Sequence, residues 1–235
     1  MSSSIINLLL QGIGETFYMV IVSTAVAYLF GIPLGVLVYV TDKNGICKNS
    51  IINMVAGFVI NVVRSIPFLI LLVAILPFTR LVVGTTIGST ATIVPLVVAA
   101  VPFVARMVES SLKEVDPGVI EAAKAMGSSP WQIVCKVILP EAKPSLLVGG
   151  TITLATILGY SAMAGFVGGG GLGAIAVNYG YYRYQTDVMF VTVALLVIVV
   201  QVFQEAGIRL VNHIDKRSVS YTHLDVYKRQ GHMMP

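Results

Sequence analysis

The sequence has 235 residues, of which 56% are hydrophobic and only 11% charged, with a mean hydropathy of +0.88. A soluble domain carries about 45–50% apolar and about 25% charged residues, so this balance excludes an ordinary water-soluble fold and places the chain in lipid. The net charge of +4 does not point to nucleic acid, because the basic residues stand singly along the chain rather than on one face.

The length leaves room for roughly five or six helices of about 20 residues in one membrane domain, set at 12–212. The first 40 residues lack a basic n-region and a short apolar core with a cleavage site, so the first apolar run is expected to stay as a span rather than be removed as a signal peptide. Residues 16–40 contain no charge, enough to cross a hydrocarbon core of about 30 Å. After a polar break at 41–50, a second apolar stretch runs over 51–78, interrupted only by Arg64. A third uncharged run, 81–105, contains Gly84, Gly88, Pro95 and Pro102, so its helix is expected to begin near Ser89 and to bend at the prolines. Residues 145–167 form the fourth helix, rich in Gly, Ser, Thr and Ala that permit close helix contact, and 188–211 the fifth. Between them, 168–187 holds four consecutive glycines and the tyrosines Tyr179, Tyr181, Tyr182 and Tyr184, which suit a mobile external loop with interfacial anchors.

Cytoplasmic loops carry the excess of Lys and Arg. With the N-terminus outside and the C-terminus inside, the inner segments hold Lys43, Lys48, Arg106, Lys113, Lys124, Lys136, Lys143, Arg209, Lys216 and Arg217, and the outer segments only Arg80 and Arg183. An odd number of spans agrees with that orientation. Cys47 and Cys135 match no metal-ligand spacing and fall in segments expected in the cytoplasm, so no disulfide is expected. His213 has no second His or Cys at ligand spacing and reads as an interfacial residue. Residues 218–235, with His223 and His232, depart abruptly in composition and resemble translated sequencing-adapter sequence; they are read as a non-native tail outside the fold.

The third and fourth spans are joined by about 35 residues, where a bundle needs only a few to return. Asp116-Pro117 reads as an N-cap with proline at the first helical position, opening a helix through Glu121-Ala122-Ala123-Lys124-Ala125-Met126 that stops at Gly127. Ser129-Pro130 opens a second short helix over 131–138, ending before Pro140. Two short helices are therefore expected within 116–140, at the inner face of the membrane. The sequence contains no Gly-x-x-x-x-Gly-Lys-[Ser/Thr] loop, and the glycine run 168–171 is followed by no Lys-Ser/Thr, so the chain is not expected to bind and hydrolyse ATP in the usual way.

Glu121-Ala122-Ala123, three residues, Gly127, a spacer of about nine residues and Val137-Ile138-Leu139-Pro140 resemble the signature loop of binding-protein-dependent ABC importer permeases of the type I fold, with valine where isoleucine is commoner. The resemblance extends over roughly 10–217. Arg64-Ser65-Ile66-Pro67-Phe68, Pro77-Phe78-Thr79-Arg80 with Val83-Gly84-Thr85, Ala105-Arg106-Met107-Val108-Glu109, and Gly159-Tyr160-Ser161-Ala162-Met163 with Gly170-Gly171-Leu172-Gly173 are similar to the methionine importer permeases. That resemblance implies an all-α membrane protein of five transmembrane helices, working as a homodimer with two copies of a cytoplasmic ATPase and an extracytoplasmic lipoprotein that delivers methionine. It implies that Glu121, Ala122, Ala123, Gly127, Leu139 and Pro140 couple to the ATPase, and it requires no cofactor.

On the same reading Tyr160, Ser161 and Met163 line the translocation pathway, where a flexible thioether suits an apolar substrate, against the plainer reading that they pack on neighbouring helices. Arg64, the one basic residue well inside an expected span, is assigned a gating or structural role, by bonding carbonyls near Pro67, facing the pathway or snorkelling to the interface. Permeases for other amino acids or small peptides share much of the pattern. An ion-coupled secondary transporter would carry acidic residues at mid-span, and none is central here. A membrane enzyme is disfavoured, since the spans hold no constellation of His, Cys or Asp.

Overall fold

The computed structural model describes residues 3–214, and the 218–235 segment with His223 and His232 lies outside them. The described chain is helical: α1 (Ser3–Thr41), α2 (Ser50–Ser65), α3 (Phe68–Ala74), α4 (Leu76–Val83), α5 (Ser89–Lys113), α6 (Pro117–Ala125), α7 (Pro130–Ile133), α8 (Leu139–Glu141), α9 (Lys143–Ala164), α10 (Gly171–Ile175) and α11 (Thr186–Ile214). Among these, four stretches are long and apolar enough to cross a membrane, and the bent pair α2 and α3 makes a fifth.

α1 and α5 form the centre. At about 1.5 Å per residue the 39 residues of α1 reach roughly 58 Å, nearly twice the hydrocarbon thickness, so its first turns extend beyond the lipid. Its buried stripe, Thr16, Val20, Ser23, Ala27, Gly31 and Gly35, steps by three or four residues and is made of small side chains along most of its length. A Cβ built on Gly31 would stand 2.5 Å from Val104 Cγ1, and one on Gly35 2.6 Å from the Ala105 carbonyl oxygen. The Gly31-x-x-x-Gly35 pair thus sets the distance at which α1 lies on α5. Leu96, Ala100, Val104, Val108 and Leu112 of α5 fill the core beside it. α9 joins this pair through the Tyr28 hydroxyl, which donates to the Leu146 carbonyl at 3.2 Å, and through Ser145, whose hydroxyl donates to Ser111 at 3.0 Å.

Three expectations are corrected. The second apolar stretch is not one straight span, because α2 and α3 are bent by 101° at Ile66-Pro67, where proline supplies no N–H to continue the ladder. The third helix does not end at Ala105. It runs through to Lys113, and Pro95 and Pro102 lie within it without ending it. The glycine-rich stretch is a packed joint rather than a mobile loop. After α9 a 3₁₀ turn (Gly165–Val167) leads through Gly168, at φ 80°, into α10 and a π turn (Ala176–Tyr181).

The joint closes backbone against backbone. A Cβ on Gly173 would stand 2.5 Å from Ala162 Cα, so only glycine admits that approach. The open N-terminus of α10 is capped from α1, 156 residues away in sequence: Gly171 N–H donates to Glu15 Oε2 at 2.7 Å and Leu172 N–H to Thr16 Oγ1 at 2.9 Å. Gln11 holds the other Glu15 oxygen at 2.9 Å. A carboxylate beside the positive end of a helix satisfies donors that lipid could not.

Gly35→Ala should destabilise the folded protein by about 1–3 kcal/mol through overpacking against the α5 backbone, whereas Gly14→Ala, with open space at its Cβ, should not. Thermal unfolding of the two variants in detergent checks this. Glu15→Ala should speed hydrogen exchange at the Gly171 amide, and Glu15→Gln, which keeps an acceptor, should restore most of the protection.

Candidate functional site

The connection between α5 and α9 is built almost wholly of helix. Asp116 accepts from Gly118 N–H at 2.7 Å and Pro117 occupies the first turn, so α6 begins with its orphan donors reduced. It ends in two backbone bonds, Ser128 N–H to the Ala123 carbonyl at 3.1 Å and Gly127 N–H to the Lys124 carbonyl at 2.9 Å. This is a Schellman closure, and it places Gly127 at φ 77°, where a side chain would be strained by about 1–2 kcal/mol. The next residues turn at once into a capping box. Gln132 N–H donates to Ser129 Oγ at 3.3 Å, and Ser129 N–H donates to Gln132 Oε1 at 2.8 Å.

The second short helix does not stop before Pro140. α7 passes into a π turn (Val134–Ile138), α8 and then α9. An α-helical path would drive the Pro140 ring into the Lys136 carbonyl, and Pro140 has no N–H to donate. Leu139 N–H instead reaches back five residues to the Val134 carbonyl, and the α ladder resumes with Ala142 N–H to the Ile138 carbonyl at 2.9 Å. Leu139, half-buried, and Pro140, exposed, therefore mark a shift of helical phase rather than an end.

The loop residues divide by exposure. Ala123 is buried with Ile133 and Ile138 in the main core and half-buried Ile120 packs against it, so α6 is anchored through these two side chains. Glu121, Ala122 and Gly127 are exposed, as are Met126 at 79% and Trp131 at 74%. Glu121 and Lys124 also line a cleft of about 390 Å³ whose other wall includes Tyr39, Asp42 and Lys113.

Behind that cleft lies a charged ladder built on Arg106 and Glu109 of the permease-like motif and on Lys113, residues for which no such role is expected from the sequence. Lys113 Nζ stands 3.5 Å from Asp42 Oδ2 and donates to Glu109 Oε1 at 2.7 Å, while Arg106 pairs with Glu109 Oε2 and donates to Asn61 Oδ1 of α2 at 2.9 Å. Glu109 is only 8% exposed, and a carboxylate so buried needs both cations. The outer pairs are partly solvated and add about 0–1 kcal/mol each, so the ladder positions α1, α2 and α5 more than it stabilises them. Arg106, Glu109 and Lys113 follow i, i+3 and i+4 helix spacing, which is the signal that would have found the ladder and carried the third helix past Ala105.

The three residues expected to line a pathway are not brought onto one surface of the protomer. Tyr160 is half-buried and stacks on Phe68, ring centres 4.5 Å apart and planes 5° from parallel, tying α9 to α3 just after the Pro67 break. Ser161 is buried at 2% exposure, and its hydroxyl donates to the Leu158 carbonyl at 2.8 Å. Met163 alone is exposed, at 44%. Arg64 is exposed two residues before the break, and none of the freed carbonyls near Pro67 is found bonded to it among the described residues.

Residues 31–219 match the family described as the binding-protein-dependent transport system inner membrane component. The chain is 52% identical over 211 residues to a probable D-methionine transport system permease protein of Vibrio cholerae, covering 90% of this chain and 94% of the relative. It is 52% identical over 165 residues to the D-methionine transport system permease protein of Escherichia coli, covering 70% and 76% of the two chains. Its fold superposes with a TM-score of 0.90 and 50% identity on a chain of the inward-facing MetNI methionine ABC transporter, covering 92% of this chain and all of that one. An all-helical chain of broken and continuous spans, carrying the Glu-Ala-Ala loop on a capped helix, thus belongs to the family of binding-protein-dependent transport system inner membrane components.

Proposed function

We propose that this chain is the permease subunit of an ATP-driven methionine importer, a multi-pass protein of the bacterial inner membrane that works as a homodimer with two copies of a cytoplasmic ATPase and an extracytoplasmic methionine-binding lipoprotein. The observation that carries the proposal is α6, a capped helix held to the core by Ala123 and Ile120 and presenting Glu121, Ala122 and Gly127 outward on the one long connection of the bundle. Relatives at about half identity over nearly the whole chain, named for methionine transport, support the substrate. Hydrolysis belongs to the partner, since the sequence offers no phosphate-binding loop of its own.

In this reading the N-terminus lies outside and the C-terminus inside, as the Lys and Arg distribution favours, and 116–140 forms the cytoplasmic coupling segment of a type I domain over 12–212. Glu121, Ala122 and Gly127 meet the ATPase. Ala123, Leu139 and Pro140 hold the angle at which α6 projects. The charged ladder from Lys113 to Asn61 then joins the base of α6 to the arm of α2 that carries Arg64, which gives Arg64 a gating or structural role at the Pro67 break. Met163 faces the pathway on the dimer axis, Tyr160 holds it against the broken span through Phe68, and Ser161 supports it from the core.

Gly127→Asp or Glu121→Lys is expected to abolish methionine uptake while the permease remains in the membrane and assembled as a dimer. Wild-type uptake by either variant would contradict coupling through α6. Met163→Arg in both subunits is expected to lower methionine transport at least tenfold with ATP hydrolysis and co-purification of the ATPase retained, since a long charged side chain obstructs a narrow apolar pathway. Unchanged uptake would remove Met163 from the pathway.

A further inference from the structure

The end of α1 and the segment following Ser129 enclose a second feature that transport of a small solute does not use. The turn after α1 folds back on the helix, with Cys47 N–H donating to the Val40 carbonyl at 2.9 Å and Asn49 N–H to the Thr41 carbonyl at 3.1 Å, so Cys47 lies beside the last turn of α1. An open groove of about 500 Å³ runs from there along the helix. One wall is Ile32, Val36 and Val40 of α1, spaced by four residues, and the other is Trp131, Cys135 and Leu139, also spaced by four.

The opposite face of the second wall is core: Ile133 and Ile138 are buried at 1% or less, so the groove side is the face left over. Polar groups are nearly missing from the lining, but its two cysteines are each followed by an exposed lysine, Lys48 and Lys136. Neither lysine has an acidic partner among the described residues. The groove ends where α1 leaves its apolar span and the polar turn begins, and the exposed indole of Trp131 belongs to the residue type that gathers at that level of a bilayer.

We infer that this groove binds an anionic phospholipid, an acyl chain lying between the two apolar rails and the phosphate meeting Lys48 and Lys136. The occupant follows from the pairing of features. An apolar slot with exposed lysines beside it offers an acyl chain its rails and an anionic headgroup its charge. The inference goes beyond the transport reading and holds whichever solute is carried. A lipid seated there would brace the segment that follows α6 against α1.

Trp131 is the single tryptophan of the chain, so fluorescence excited selectively at tryptophan, away from the ten tyrosines, reports on this groove. The full-length permease in phosphatidylcholine nanodiscs would be titrated with brominated phosphatidylglycerol or brominated phosphatidylcholine. Two lysines near a membrane surface enrich an anionic lipid about thirtyfold, so brominated phosphatidylglycerol should quench Trp131 at roughly one-thirtieth the mole fraction that brominated phosphatidylcholine requires. Lys48→Glu with Lys136→Glu should bring the two curves together while the protein keeps its size-exclusion profile. Soluble glycerophosphoglycerol should compete weakly. Equal quenching of the unaltered protein by both lipids would mean annular contact only, and would overturn the inference. So would the failure of either lipid to quench, or competition by the headgroup as strong as by the lipid.

Discussion

Inside hydrocarbon every backbone N–H and C=O must be satisfied by the chain itself, and the places where helices break show how this protein meets that demand. At Ile66-Pro67 the ladder stops and Ile66 N–H closes a tighter turn on Val63. Ahead of Pro140 it is shifted by one residue through a π turn, so that no donor is missing where proline supplies none. At the glycine run the exposed amides of α10 are capped by Glu15 and Thr16 from α1. Each break therefore redirects the chain with a backbone or side-chain bond at the point of the turn, and each falls beside a segment assigned a part in transport.

Close packing gives these breaks something firm to work against. Gly31 and Gly35 seat α1 on α5 with almost no space between backbones, and the ladder of Asp42, Lys113, Glu109 and Arg106 extends that pair toward α2. In the proposed function, this rigid pair, with a capped helix at one end and a broken span at its side, acts as a lever. In the proposed cycle, force applied to α6 reaches the Pro67 break through bonded side chains rather than through a flexible loop.

Local chemistry made much of this readable in advance. Asp116-Pro117, Gly127 and Ser129-Pro130 each carry their own turn or cap signal, and the start of the third helix near Ser89 follows from the glycines before it. Pro140 misled because proline ends a helix in most contexts, and the π turn that accommodates it depends on the packing of Ile133 and Ile138. The 101° bend at Pro67 was hidden because both arms are apolar, so hydropathy sees one span. The glycine joint needed tertiary partners: its four glycines read as a loop until Glu15, 156 residues distant, supplies the cap. Tyr160, Ser161 and Met163 are adjacent in sequence but diverge around one helix, into a stack, the core and the surface.

Uptake into proteoliposomes containing this permease, its ATPase and the binding lipoprotein tests the central claim most directly. With ATP supplied on the ATPase side and no ion gradient, labelled methionine should accumulate against its concentration gradient, and a proton gradient without ATP should drive none. Accumulation driven by the proton gradient, with no response to ATP, would contradict the account.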